Sequence, residues 1–150
     1  KFLHSQLPPG PLNAKISPNL ARKFIQIKHE NGERIVFVEE VRRLVPDVLV
    51  IGDGAERVAN TNMIRVVGAD AEAVMANMPN VHVSTGSACN SAVTEPSHVL
   101  LAMGLSSQEA SECLRFSFGK DSTLTEIKEA AVSLADAAAR VRSLTEVRAS

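Results

Sequence analysis

Apolar and polar positions along the chain alternate with two periods, in short segments separated by turn residues. Phe24-Ile25-Gln26-Ile27-Lys28-His29 and Ile35-Val36-Phe37-Val38 alternate on either side of Asn31-Gly32. That pattern predicts a hairpin with a tight turn. Val38, Val41, Leu44 and Val45 then fall at helical spacing, closed by Pro46. Val48 to Ile51 has the apolar character of a short buried strand, ended by Gly52-Asp53-Gly54, and Asn62 to Val67 predicts a second strand. The two glycines match no phosphate-binding loop, lacking both a third glycine at the required spacing and a Gly-Lys-Ser/Thr sequence, so they mark a turn. Asp70 is placed to cap a helix through Met78 that gathers Ala71, Val74, Met75 and Met78 on one face.

The second half repeats these signals. Val81-His82-Val83 predicts a strand leading into STGSACNSA, residues 84–92, which are too small and polar for a packed element. Pro96 at a helix start and Gly104 beyond its end bracket about two turns. Ser106 with Glu109, and Thr123 with Glu126, have the spacing of capping boxes, one for a short helix and one for a long amphipathic helix carrying Ile127, Ala131, Leu134, Ala138 and Val141. Between them Cys113 to Phe118 alternates, with Leu114, Phe116 and Phe118 on one face and Cys113, Arg115 and Ser117 on the other. The expected fold class is α+β, a small mixed or antiparallel sheet with helices packed mainly on one face. Pro8, Pro9 and Pro11 around Gly10 make residues 1–16 a linker, and residues 17–150 a single domain.

Composition narrows the function classes. Of 150 residues 45% are hydrophobic and 22% charged, the balance of a globular domain. Sixteen basic residues against seventeen acidic ones leave a net charge of -1, and the only aromatics are five phenylalanines. No basic block is available for a nucleic-acid partner. No apolar run reaches the ~20 residues of a membrane span, and KFLHSQLPPG lacks the features of a signal peptide, so a cytoplasmic or organellar setting is expected. Two cysteines without a CxxC fit a reducing compartment better than a disulfide framework.

Cys89 carries the candidate chemistry. It lies among Ser84, Thr85, Gly86, Ser87, Ala88, Asn90, Ser91 and Ala92, so its thiol is expected to be accessible and able to act as a nucleophile. A cysteine in a turn is more often simply a small buried residue. The order of three motifs tips the balance: STGSACNSA, then EPSHVLLAMG, then LRFSFG followed by a capping-box helix. Together they resemble the carboxy-terminal part of the cysteine desulfurases, pyridoxal-phosphate enzymes of aminotransferase class V, most strongly over residues 57–142.

The resemblance implies the small domain of that fold and a set of roles. Cys89 falls on the cysteine that takes sulfur from L-cysteine as a persulfide, leaving alanine, for sulfur transfer or iron-sulfur cluster assembly. Arg115 matches the arginine that pairs with the substrate carboxylate, which suits the bidentate geometry of a guanidinium. Ser87, Asn90 and His98 are expected to support the cysteine loop. The family's cofactor lysine follows a histidine in a larger amino-terminal domain, and none of the six lysines here follows one. No cofactor-binding residue is therefore expected in this chain, and the chain alone is expected to be inactive. The complete enzyme would contain pyridoxal phosphate on a large domain, dimerise, and deliver sulfur to an acceptor protein. The resemblance also implies a long helix before the matching region, where the alternation predicts a hairpin. VANT stands in place of the family's LPNT, and GKDST in place of Gly-Arg-x-Thr-Thr.

Two rivals remain. His82, Cys89, His98 and Cys113 are four side chains of metal-ligating type, but their spacing matches no zinc pattern, and no metal is expected. Cys113 matches no motif and is expected to be structural. The second rival is a non-enzymatic module for binding, dimerisation or sulfur relay, distinguished by the absence of cofactor absorbance in the natural protein.

Overall fold

A computed structural model describes residues 33–149 except 46, 57, 59, 86–95 and 120. The first described element is a helix, α1 (Glu33–Leu44), followed by strands β1 (Val48–Ile51) and β2 (Thr61–Val66). After them come helix α2 (Ala71–Ala76), the two-residue strand β3 (Ser84–Thr85), helices α3 (His98–Ala102) and α4 (Ser107–Ser111), strand β4 (Cys113–Ser117) and the long helix α5 (Leu124–Ala149). Residues Glu33–Ser150 make one compact unit.

The four strands form one sheet in the order β1-β2-β4-β3, every pair antiparallel. Val48 pairs with Val66, Ile64 with Leu114, and Thr85 with Leu114 on the other side. Strict alternation then sorts the side chains. Val48, Val50, Ile64, Val66, Leu114 and Phe116 are buried under a helical layer that supplies Phe37, Val41, Ile127, Ala131, Leu134 and Ala138. This is the expected α+β arrangement, with the sheet antiparallel throughout.

Residues 35–38 are helical, which corrects the second strand expected of the hairpin. Ile35 is exposed, while Phe37, Val38, Val41 and Val45 are buried at helical spacing. A four-residue alternation is ambiguous between the two periods, and here burial against α5 and the sheet decides it. The hairpin's first strand and the 1–16 linker lie outside the described residues. Phe37 is fully buried, 4.5 Å from Phe116 between ring centroids and 5.2 Å from Phe118 in an edge-to-face arrangement.

Smaller differences have local causes. The strand expected at Val81–Val83 forms only at Ser84–Thr85, where β4 offers backbone partners. Helix α3 starts at His98 with Ser97 as N-cap, two residues after Pro96. It ends as expected: Gly104 has φ +94°, and the Leu105 N–H bonds the Leu100 carbonyl at 3.2 Å. Asp70 caps α2 by accepting from the Ala73 N–H at 2.9 Å, and both capping boxes form. At the other end of the sheet Arg142 of α5 donates to the Val67 carbonyl and pairs with both oxygens of Asp47, joining segments 75 and 95 residues apart in sequence.

Phe37→Ala should cost about 3–5 kcal/mol in urea denaturation, because it empties the aromatic contact between α1 and β4. A loss below about 1 kcal/mol would contradict the packing of α1 described here.

Candidate functional site

The face of the sheet turned away from α1 and α5 presents two rows of side chains. Ile51, Met63, Arg115 and Ser84 are successive partners across β1, β2, β4 and β3, and Leu49, Arg65 and Cys113 form the next row. Arg115 is exposed, flanked by Met63 and Ser84, and among the described residues its guanidinium has no ion-pair partner. A planar cation left free beside a polar strand is suited to binding a carboxylate. Strand β3 ends at Thr85, and the segment that carries Cys89 begins at the next residue. Cys89 itself, with Ser87 and Asn90, lies outside the described residues.

His98 is the exposed first residue of α3, where the chain resumes after that segment. Helices α3 and α4 form a short arm over the Cys113 row. Leu100, Ala110 and Cys113 make a second, small apolar cluster there, with Ile51, Met63 and Leu105 packed against it. Cys113 is fully buried and its thiol donates to the Glu109 carbonyl at 3.2 Å. Burial, reinforced by the neighbouring Glu112 and Glu109 carboxylates and opposed by Arg65, pushes this thiol up to about 11. It is therefore protonated at neutral pH and is a poor nucleophile.

Sequence reasoning missed a charged cluster beside Cys113. Arg65 is largely buried; its Nε donates to Glu112 at 2.7 Å and its terminal nitrogen to Glu109 at 2.6 Å. The second oxygen of Glu112 accepts the Gly68 N–H at 3.1 Å. Glu109 also accepts from the Ser106 N–H and hydroxyl, both at 2.8 Å. The Ser106 backbone and side-chain hydrogen bonds, then Arg65, hold the Glu109 carboxyl below its ordinary value of 4.5. A signal for this cluster did exist: Arg65 interrupts an apolar strand at a position facing away from the core.

Among the described residues no group of three or more histidine, cysteine or acidic side chains is placed to hold a metal ion. His82 is exposed and Cys113 is buried. The donor set for pyridoxal phosphate is equally incomplete. The only lysine among the described residues, Lys128, is exposed on α5, the helix packed on the opposite side of the sheet from Arg115. These residues do not fit the cofactor's covalent site. No described helix is long and apolar enough to cross a membrane.

This architecture is that of a NifS-like, class V aminotransferase fold. A NifS-like protein from Rickettsia africae superposes with a TM-score of 0.63 at 24% identity, over 79% of this chain and 30% of that one. The sequence comparisons are more particular. A cysteine desulfurase from Frankia is 48% identical over 107 residues, 71% of this chain and 26% of that protein. Cysteine desulfurase IscS from Tolumonas auensis is 37% identical over 133 residues, 84% of this chain and 33% of that protein. No family model matches. The chain is thus a relative of the cysteine desulfurases, as its three motifs imply, and it spans about a quarter to a third of their length. That span is consistent with the carboxy-terminal small domain of such a protein.

Glu109 yields a pH prediction with a definite sign. A carboxyl depressed in the folded state stabilises fully above its unfolded value, and the stabilisation disappears as pH falls through the folded value. Glu109→Gln should therefore lower stability at neutral pH and flatten its decline below pH 4.5. Denaturation midpoints measured across that range check this; parallel curves for the two proteins would contradict it.

Proposed function

We propose that this chain is the cysteine-bearing part of a pyridoxal-phosphate-dependent cysteine desulfurase, with Cys89 as the sulfur acceptor and Arg115 as the anchor for the substrate carboxylate. The observation that carries this reading is the free, exposed Arg115 paired through β4 with Ser84, two residues before the segment that holds Cys89. Carboxylate and sulfur of L-cysteine lie a few bonds apart. An anchor on β4 and a thiolate carried by the segment leaving β3 can therefore meet opposite ends of one small substrate.

The cofactor belongs to a large domain outside this chain, and when bound it withdraws electrons from the substrate. The residues of this chain do the rest. Arg115 fixes the orientation of the amino acid through a bidentate pair. The Cys89 thiolate attacks the substrate sulfur as the carbon–sulfur bond breaks, its electron pair going to carbon, where a proton completes alanine. Cys89 is left as a persulfide, from which an acceptor protein takes the sulfur for cluster assembly or another sulfur pathway. Ser87, Asn90 and His98 support the loop. The complete protein works as a homodimer in the cytoplasm or an organelle, and the chain alone is inactive. Cys113, protonated and buried, takes no part.

Two substitutions in the complete protein separate the roles. Cys89→Ser keeps size and polarity but cannot form a persulfide, so sulfide release should be abolished while cofactor absorbance is unchanged. Arg115→Lys keeps the charge but loses the fork, and should weaken cysteine binding by about 1.5–3 kcal/mol. Retained turnover in Cys89→Ser, or unchanged KM and kcat in Arg115→Lys, would reject the assignments. Absence of cofactor absorbance in the natural protein would favour the non-enzymatic module instead.

A further inference from the structure

Arg115 is closed in on two sides of the outer face and open on the others. On β2 its ladder partner is Met63, whose thioether packs against the Leu100 cluster and offers a cation no strong acceptor. Back along β4 the previous residue on this face is Cys113, fully buried and clustered with Leu100 and Ala110 of the α3–α4 arm. A ligand carboxylate therefore reaches the guanidinium from the side of Ser84 on β3 or from that of Ser117, the next outward residue of β4. Ser117 is exposed. It pairs across the ladder with Thr61 of β2, and the two hydroxyl oxygens are 3.3 Å apart.

We infer that Ser117 is a second substrate-binding residue, its hydroxyl donating to the carboxylate that Arg115 holds, and that Thr61 is the positioning residue for that hydroxyl. This rests on the desulfurase reading and adds to it the side from which the carboxylate is bound. Two hydroxyls bonded to each other use one O–H and leave the other free. Among the described residues neither has a further partner, so with Thr61 donating to Ser117 the Ser117 proton is available to an acceptor. A carboxylate only accepts, and of its roughly four lone-pair positions a bidentate guanidinium takes two. The 3.3 Å separation is long for a bond between hydroxyls, ordinarily about 2.7–2.8 Å, so Ser117 gives up little in turning toward a charged acceptor.

Spacing and rigidity agree with this role. Two residues along a strand advance about 6.6–6.8 Å. A carboxylate lying between the two side chains bridges that gap with an N–H···O bond of about 2.7–2.9 Å on one side and an O–H···O bond of about 2.5–2.7 Å on the other. Just beyond Ser117 the Phe118 N–H bonds the Asn60 carbonyl at 2.8 Å, and the Asn60 side-chain amide donates back to the Phe118 carbonyl at 3.0 Å. These bonds clamp the ends of β2 and β4 that carry the two hydroxyls. Phe116 and Phe118, on either side of Ser117, are buried in the core. The donor is thus held in place before the ligand arrives, which lowers the cost of ordering it. A contact to the carboxylate is the same before and during the chemistry at sulfur, so its loss falls on KM and not on kcat.

The test uses the complete protein with Ser117→Ala, Ser117→Thr and Thr61→Val. In Ser117→Ala, KM for cysteine should rise about five- to tenfold with kcat changed less than about twofold. Ser117→Thr keeps the hydroxyl on a residue suited to a strand and should recover most of the loss, while Thr61→Val should raise KM about two- to threefold. Cysteamine, which is cysteine without the carboxylate, supplies a control: as a competitor it should bind wild type and Ser117→Ala equally. Because Ser117 and Arg115 hold the same group, Ser117→Ala combined with Arg115→Lys should lose less than the product of the two single losses. A KM within about twofold of wild type in Ser117→Ala, an equal loss for cysteamine, or strictly multiplicative losses in the double variant would each overturn the proposal. If Arg115→Lys weakens cysteine binding and Ser117→Ala does not, this inference alone fails. A wild-type protein that releases no sulfide from cysteine overturns the desulfurase reading itself, an outcome seen before any substitution is made.

Discussion

Strand β4 lies between β2 and β3, and the period-two alternation of its five residues divides core from candidate site. Leu114 and Phe116 turn inward, where Phe116 meets Phe37 and closes the layer of α1 and α5. Cys113 and Arg115 turn the other way. Because the inward pair is fully committed to packing, the strand cannot slip by one residue without placing an arginine in the core and a phenylalanine in solvent. The register that stabilises the domain is therefore also the register that presents Arg115. A core mutation that altered the pairing of β4 would cost stability and would also displace Arg115.

The outer face is divided in turn by its polar content. Along β2 and β4 the α3–α4 arm covers the Arg65 and Cys113 row and packs against Met63 in the neighbouring row, while Arg115 in that second row is exposed. Two arginines one row apart thus have different fates. Arg65 is paired with two carboxylates and serves the fold, whereas Arg115 is exposed and among the described residues has no ion-pair partner. The two cysteines divide similarly on chemical grounds. Cys113, with its burial and its carboxylate neighbours, is held protonated, and the thiolate role proposed above falls to Cys89.

Much of this was legible in the residues, for identifiable reasons. Strands β1, β2 and β4, the two faces of β4 and both capping boxes follow from short-range patterns that the tertiary structure left intact. The segment at 35–38 was misread because four alternating residues satisfy either period, and the decisive fact, packing of Phe37 on Phe116 and Phe118, joins residues some eighty apart. The Arg65 cluster was missed for a related reason. Glu109 was recognised as a cap, but its second partner lies 44 residues away across the sheet, and no local pattern announces such a pairing. The roles proposed for Arg115 and Cys89 come from the ordered motifs, not from periodicity, which places Arg115 on an exposed face without saying what it binds.

The central claim is that sulfur from L-cysteine is carried on Cys89. The most direct measurement is to supply the complete protein with cysteine, block thiols and persulfides by alkylation, digest, and locate added sulfur by mass spectrometry. The account predicts one extra sulfur atom on the peptide that contains Cys89 and none on that containing Cys113. Extra sulfur found only on Cys113, or on neither peptide while alanine accumulates, would contradict it.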